Sequence, residues 1–305
     1  MYYKTLKILK RKFQREEKEV IVMLIPTYAI LILFMGYPLL NSLYFSFQKY
    51  RLSQPNKIGF NGIENYINIL NDPNLKLIMF NTLKWVFFTL ILQFILGFIL
   101  ALALRKPFKG RNFYQAIVFL PWALSNFVVG LTFQWMFNGE YGVINDLLLK
   151  LKFISHKISF LGSTTFALWT VIIAMVWIGI PFFAIMILAA LQSIPEELYE
   201  AAEIDGAGVI MQFLNITLPL IKPTIIVTLL LRTIWIFNSA ELIYVMTYGG
   251  PGNSSNTFVS YMFLKAYSSL NFGEASAMGV LVMICLMLYS IIFIRITGYA
   301  EGSEF

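Results

Sequence analysis

Among the 305 residues of this chain, the ones placed to do chemistry are few. Arg232 falls inside an apolar run that begins near Thr224. At about 100° per residue, Trp235 and Ser239 lie within about 60° of its helical face. A guanidinium, an indole and a hydroxyl on one stripe suit a sugar, whose ring has an apolar face for stacking and hydroxyls for bonding. Two uses of the arginine stay open, an ion pair with another helix and a ligand site. In the second case its fork favours an anion, carboxylate or phosphate. Glu241, nine residues on, is expected about 180° round the same helix and so is not its partner. Lys84, the other cation within a span, lies near a span end and can extend to water.

A second set of residues breaks a charge rule. Between Ser193 and Lys222 stand Glu196, Glu197, Glu200, Glu203 and Asp205 against a single cation, Lys222. Ser193 is the expected N-cap of a short helix, with Glu196 as its capping-box partner and Pro195 in the first turn. That helix runs to about Asp205 and breaks at Gly206-Ala207-Gly208. A second apolar helix then leads through Ile216 and Leu218-Pro219 back into the membrane. Small side chains at Ala201, Ala202, Gly206 and Gly208 let another surface approach the backbone. The bare physics leaves an amphipathic connector as open as a docking knob.

Other chemistry lacks residues to run on. No G-x-x-x-x-G-K-[ST] stretch cradles a nucleotide phosphate, and no His/Cys/carboxylate cluster has metal-ligand spacing. His156, the single histidine, falls in a loop beside lysines, and Cys285, the single cysteine, reads as a small buried hydrophobe.

The elements that position these residues follow from composition. Charged residues make up 13% of the chain and apolar ones 58%. A soluble domain carries about 25% charge, so a water-facing surface cannot be covered. Six runs reach the roughly 20 residues a helix needs to span a bilayer: residues 20–44, 79–104, 115–137, 165–191, 224–245 and 272–296. Continuous apolar runs exclude a barrel, whose strands alternate. Lys4, Lys7, Lys10, Arg11, Lys12, Arg15 and Lys18 precede the first span, and Arg105, Lys106, Lys109 and Arg111 follow the second. Short basic segments stay in the cytoplasm, so both termini and the acidic loop are expected there. The same rule accounts for the net charge of +7 without nucleic acid. The expected layout is an all-α membrane protein: a basic segment over 1–19, a six-helix domain over 20–296 containing the loop 193–222, and a short cytoplasmic tail over 297–305.

The loop carries a recognisable pattern. Glu200-Ala201-Ala202, Asp205-Gly206-Ala207 and Ile216-x-Leu218-Pro219 resemble the Glu-Ala-Ala motif of permease subunits of binding-protein-dependent ATP-driven (ABC) importers. Phe119-Leu120-Pro121-Trp122, LQSIPEELY from Leu191 to Tyr199, and Gly249-Gly250-Pro251 extend the resemblance, which is strongest to sugar importers of the maltose, glycerol-phosphate and multiple-sugar type. It implies a heterodimer with a second permease, two ATPase subunits that bind ATP and magnesium, and an external solute-binding protein, with this chain in a bacterial or archaeal plasma membrane. The chain itself needs no cofactor, and its contacts are membrane lipid, these partners and a carbohydrate. The resemblance makes Glu200, Ala201, Ala202, Asp205, Gly206 and Ala207 the coupling contact with an ATPase subunit. It makes Trp122, Asn126, Ile178, Gly179, Phe182, Arg232, Trp235 and Ser239 the sugar contacts. Arg232 departs from the related maltose permease, which has a small hydroxyl residue there, and this points to an acidic oligosaccharide or sugar phosphate. A neutral oligosaccharide or glycerol-phosphate is the alternative. A secondary transporter would carry its coupling acid within the bilayer, and a membrane enzyme would need a nucleophile or metal set.

Overall fold

The computed structural model describes residues 20–298; the basic segment 1–19 and the tail beyond Gly298 lie outside the described residues. In chain order the elements are α1 (Val20–Ser46), β1 (Gln48–Lys49), β2 (Gly59–Phe60), α2 (Glu64–Leu70), α3 (Leu75–Arg105) and α4 (Arg111–Phe119). Then follow α5 (Asn126–Met136), α6 (Val143–Lys150), α7 (Ala167–Gln192), α8 (Glu197–Ile204), α9 (Val209–Asn238), α10 (Glu241–Thr247), α11 (Phe258–Tyr267) and α12 (Phe272–Thr297). Five of these helices, α1, α3, α7, α9 and α12, are long and apolar enough to cross a membrane, and a bent pair through α4 and α5 makes a sixth.

Helix α7 is the axis of the bundle. In its most apolar stretch 72% of the residues are buried, against none in α1, whose apolar side chains face outward from the chain's own fold. Helix α3 lies along α7 with a stripe repeating every four residues: Trp85, Thr89, Gln93, Gly97 and Ala101 are all buried. Lipid offers no hydrophobic drive to join helices, so close backbone approach decides their packing. Gly97 supplies it, because a Cβ there would stand 2.5 Å from the Phe183 Cβ and 3.0 Å from the Ile180 carbonyl oxygen. Cys285 on α12 is exposed rather than buried, since α12 turns that face away from the bundle.

Two of the expected continuous spans are broken. In the third, Pro121 sits in a 3-10 turn (Leu120–Ala123), and Leu124 and Ser125 are extended. Ser125 then caps α5, its hydroxyl oxygen accepting the Val128 N–H at 3.3 Å. The two halves meet at 96°. In the fifth span α9 stops at Asn238, Ser239 is extended, and α10 restarts at Glu241. Irregular backbone at membrane depth survives only against protein or a water-filled cavity. The spans expected over 115–137 and 224–245 are each two pieces for that reason.

The end of the bundle away from the acidic loop is fastened by ions. Glu274 accepts from Arg51 and from Lys265, both at 2.9 Å, and Lys265 also lies 3.2 Å from Asp72. The Tyr261 hydroxyl donates to Asp72 at 2.8 Å. Burial works to raise the Asp72 carboxyl, but the Asn74 backbone N–H, Tyr261 and Lys265 outweigh it and hold it below the usual carboxylate range. Burial likewise works to lower the Lys265 ammonium, and its bond to Glu274 more than offsets that, leaving it above the ordinary lysine value.

Candidate functional site

The two breaks face each other and shape a cavity of about 640 Å3. Its wall includes Trp122, Asn126, Ile178, Arg232, Trp235 and Ser239, with Ser125, Met175, Asn238 and Glu241 among the rest. Six of the eight residues expected to contact sugar thus converge there from the third, fourth and fifth spans. The remaining two stand directly behind the wall. Phe182, buried, packs between the rings of Trp122 and Trp235, with centroids 5.9 Å and 5.1 Å away. Gly179 backs the arginine.

Arg232 is buried, and its position depends on neighbours from two other helices. Its Nε donates to Gln93 Oε1 at 2.7 Å, and its guanidinium carbon lies 5.6 Å from the Phe182 ring centroid. Gln93, itself fully buried, donates in turn to the Met175 carbonyl oxygen. A Cβ at residue 179 would stand 2.0 Å from Gln93 Nε2 and 2.1 Å from Arg232 Nη2. Only glycine leaves room for that junction. Among the described residues no carboxylate forms an ion pair with Arg232. The charge is held by a neutral amide and a π face and is left for something else to balance.

Ser239 lines the cavity by a different route from the one expected. It is not on the helical stripe of Arg232 and Trp235, because α9 has ended and its backbone is extended. The same break overturns the placing of Glu241 on the far side of the helix. Starting a new helix, Glu241 turns into the cavity and accepts a hydrogen bond from Asn126 Nδ2 at 2.9 Å. This bond joins the two breaks.

The acidic loop forms a small knob at the other end. Its helix α8 stops in a Schellman arrangement: the Ala207 N–H reaches the Ala202 carbonyl at 2.8 Å and the Gly206 N–H reaches Glu203 at 3.0 Å. That motif requires a left-handed residue, and Gly206 supplies it at φ +78°. The start is not the one expected. Ser193 ends α7 and donates back to the Ala190 carbonyl, and α8 begins at Glu197 with no side-chain cap. Ser193 is the C-cap residue of α7, in helical geometry at φ −82° and ψ −8°, and stands four residues before Glu197, so it cannot cap α8. Tyr199 anchors the knob: Arg105 stacks on its ring at 4.4 Å, and its hydroxyl meets Thr217 Oγ1 at 2.8 Å. Glu200, Ala201, Asp205 and Gly206 are exposed, Ala202 and Ala207 half-buried, and Ile204, Val209 and Ile210 are bare to more than three-quarters of their surface.

Asn238 and Glu241 on the wall, and Gln93 buried behind it, escaped the reading of the sequence. Gln93 did leave a signal, as the one amide in the apolar run from Trp85 to Leu104, four residues from Thr89 and from Gly97. Lys84 stacks over the Phe80 ring at 4.3 Å, on its own helix, and takes no part in the cavity.

Comparison with known proteins gives this arrangement a context. Residues 93–302 match the family of binding-protein-dependent transport system inner membrane components. The sulfoquinovosyl glycerol transport permease of Agrobacterium fabrum is 37% identical over 276 residues, 90% of this chain and 89% of that one. The trehalose/maltose transport permease of Thermococcus litoralis is 34% identical, covering 92% and 94%. In fold, the chain is similar to one from a bacterial ABC transporter involved in import of the acidic polysaccharide alginate, with TM-score 0.82 and 23% identity over 96% of this chain and 99% of that one. The chain belongs to the family of binding-protein-dependent inner membrane transport components, as a multi-pass permease of an ABC sugar importer with no catalytic role of its own.

Proposed function

We propose that this carbohydrate permease carries an acidic oligosaccharide or sugar phosphate, and that the cavity between the two broken spans is where it passes. The single observation that carries the reading is Arg232: buried, opening on the cavity, and paired with the neutral Gln93. Burying an uncompensated charge is costly, and an anionic substrate removes that cost during passage. Trp122 and Trp235 offer faces to the apolar side of a sugar ring, held in place by Phe182 between them. Asn126 and Ser239 bond hydroxyls, Ile178 closes the wall, and Gly179 keeps the arginine where it is.

At the knob, Glu200, Ala201, Ala202, Asp205, Gly206 and Ala207 dock on one of two ATPase subunits, which bind ATP and magnesium. The bare Ile204, Val209 and Ile210 support this reading, since an apolar surface of that kind beyond the membrane calls for a protein partner. Closure of the ATPases then pulls on Tyr199 and, through Arg105 and Thr217, on α3 and α9 together. A second permease completes the path, an external binding protein delivers the sugar, and both termini, with segments 1–19 and 297–305, lie in the cytoplasm.

A neutral oligosaccharide is the second reading. Glu241 favours it, because a carboxylate in the same wall accepts from sugar hydroxyls and repels an anion. The deciding experiment measures ATP hydrolysis by the reconstituted transporter, with binding protein loaded by an acidic or a neutral oligosaccharide. Stimulation by the acidic ligand that is lost in Arg232→Ser supports the first reading. Equal stimulation by both ligands, unchanged in Arg232→Ser, refutes it and leaves the importer standing.

A further inference from the structure

The geometry points to an anionic phospholipid site in the groove between α4 and α7, at the end of the bundle that carries the acidic knob. Arg111, Gln115 and Phe119 recur every four residues along one side of α4. Leu188, Ala189 and Gln192 face them from the last turns of α7, and the space between is about 270 Å3. The Nε and Nη2 atoms of Arg111 are shut off from solvent and have no hydrogen-bond partner among the described residues. A shielded guanidinium nitrogen without an acceptor costs free energy, and Arg111 is only partly buried on the groove lining, so its guanidinium gains by turning to an anion in the groove.

The chemistry along the groove says which anion. Trp122, just past α4, packs on Phe182, ten residues before the end of α7, so the helices run in opposite directions: Arg111 and Gln192 lie at one end of the groove, Gln115 midway, and Phe119 with Leu188 deeper. A polar, cationic mouth above an apolar floor matches an amphiphile, with its phosphate at Arg111 and an acyl chain along Phe119. Free phosphate or a carboxylate of a protein partner has no use for the apolar half. Arg105, Lys106 and Lys109 precede Arg111 in the same loop and raise the local density of anionic headgroups. Basic pockets between spans on the cytoplasmic side bind such headgroups.

The test is native mass spectrometry of the assembled transporter, permeases and ATPases together, from micelles doped with phosphatidylglycerol or phosphatidylcholine. Wild type should retain phosphatidylglycerol in preference, and inorganic phosphate should not displace it. Arg111→Gln should cut that retention about fivefold, the worth of one basic residue near an anionic surface. Ala189→Phe, which fills the groove and leaves the charge, should do the same, and it carries the test if Arg111→Gln does not assemble. Lys49→Gln, on β1 beside the ion cluster at the opposite end of the bundle, should leave retention within about twofold of wild type. Equal retention of the two lipids, or retention unchanged in both groove variants, overturns the site. So does displacement by phosphate, which makes the ligand a free anion. If Arg111→Gln separates the permease pair without changing lipid retention, the missing acceptor is a protein carboxylate and the lipid is wrong.

Discussion

The cavity and the knob solve opposite problems with the same chain. At the cavity, polar groups are paired: Arg232 with Gln93 and Gln93 with Met175 inside the apolar bundle, and Asn126 with Glu241 on its open wall. At the knob, apolar groups lie outside, with Ile204 and Val209 left bare. The first arrangement is rigid because unpaired polar groups inside a low-dielectric interior are costly. It is preorganised for a small polar ligand. The second is unfinished by itself and suits a protein surface. Cavity and knob are connected by α3 and α9, which carry Gln93 and Arg232 at the first and Arg105 and Thr217 at the second.

The contrast can be broken most sharply at Arg232. Truncating one partner of a buried charged contact costs about 2–5 kcal/mol, so Arg232→Ser should lower acidic-ligand transport by about two orders of magnitude. Ligand-independent ATP hydrolysis should be unchanged. Gln93→Glu sharpens the same point from the other side, because it supplies the carboxylate that the bundle lacks. Transport of acidic ligand should fall by about tenfold or more as the guanidinium is neutralised, and neutral-ligand transport should not fall with it.

Gly206→Asp tests the knob. Nothing lies within 4 Å of the position a Cβ would take, so crowding is not the issue. The cost is the left-handed backbone, about 1–2 kcal/mol for a residue with a Cβ. Ligand-stimulated ATP hydrolysis should drop by about tenfold, with retention of ligand in the cavity unaffected. An equal loss of both would mean that cavity and knob are one unit and not two. Glu241→Gln should have a smaller effect, about threefold on transport, since the bond to Asn126 survives as a neutral one.

The ion cluster at the end away from the knob supplies the weakest test. The Asp72 carboxyl is lowered by its partners. Its stabilising contribution is therefore full above the unfolded value and is lost as pH falls through the folded one. The Lys265 ammonium is raised, so its contribution is full below the unfolded value and is lost as pH rises through the folded one. Melting temperature should be flat between about pH 5 and pH 9 on this account. It should decline on acidification below that window, and Asp72→Asn should flatten the acid limb.

How much of this was legible in the sequence differs from one residue to the next. The acidic loop was readable because its signals are local: Gly206 must end a helix, and the charges of Glu196–Asp205 stand against the basic loops around them. Arg232 was readable because a cation in an apolar run has no local excuse. Gln93 was passed over because an amide carries no charge to betray it, and its importance depends on a residue 139 positions away. Ser239 and Glu241 were placed on a helical wheel that the chain does not complete.

By itself the sequence determined the solvent, the number of spans, the acidic knob and the identity of the charged groups. These follow from hydropathy, charge and short-range backbone preference, all of which act within a few residues. Tertiary structure decided where the third and fifth spans break, which residues meet at the cavity and what holds Arg232. A break in a membrane helix is permitted only where another segment or water accepts the freed backbone groups. The segment that does so comes from elsewhere in the chain, and no local pattern encodes it.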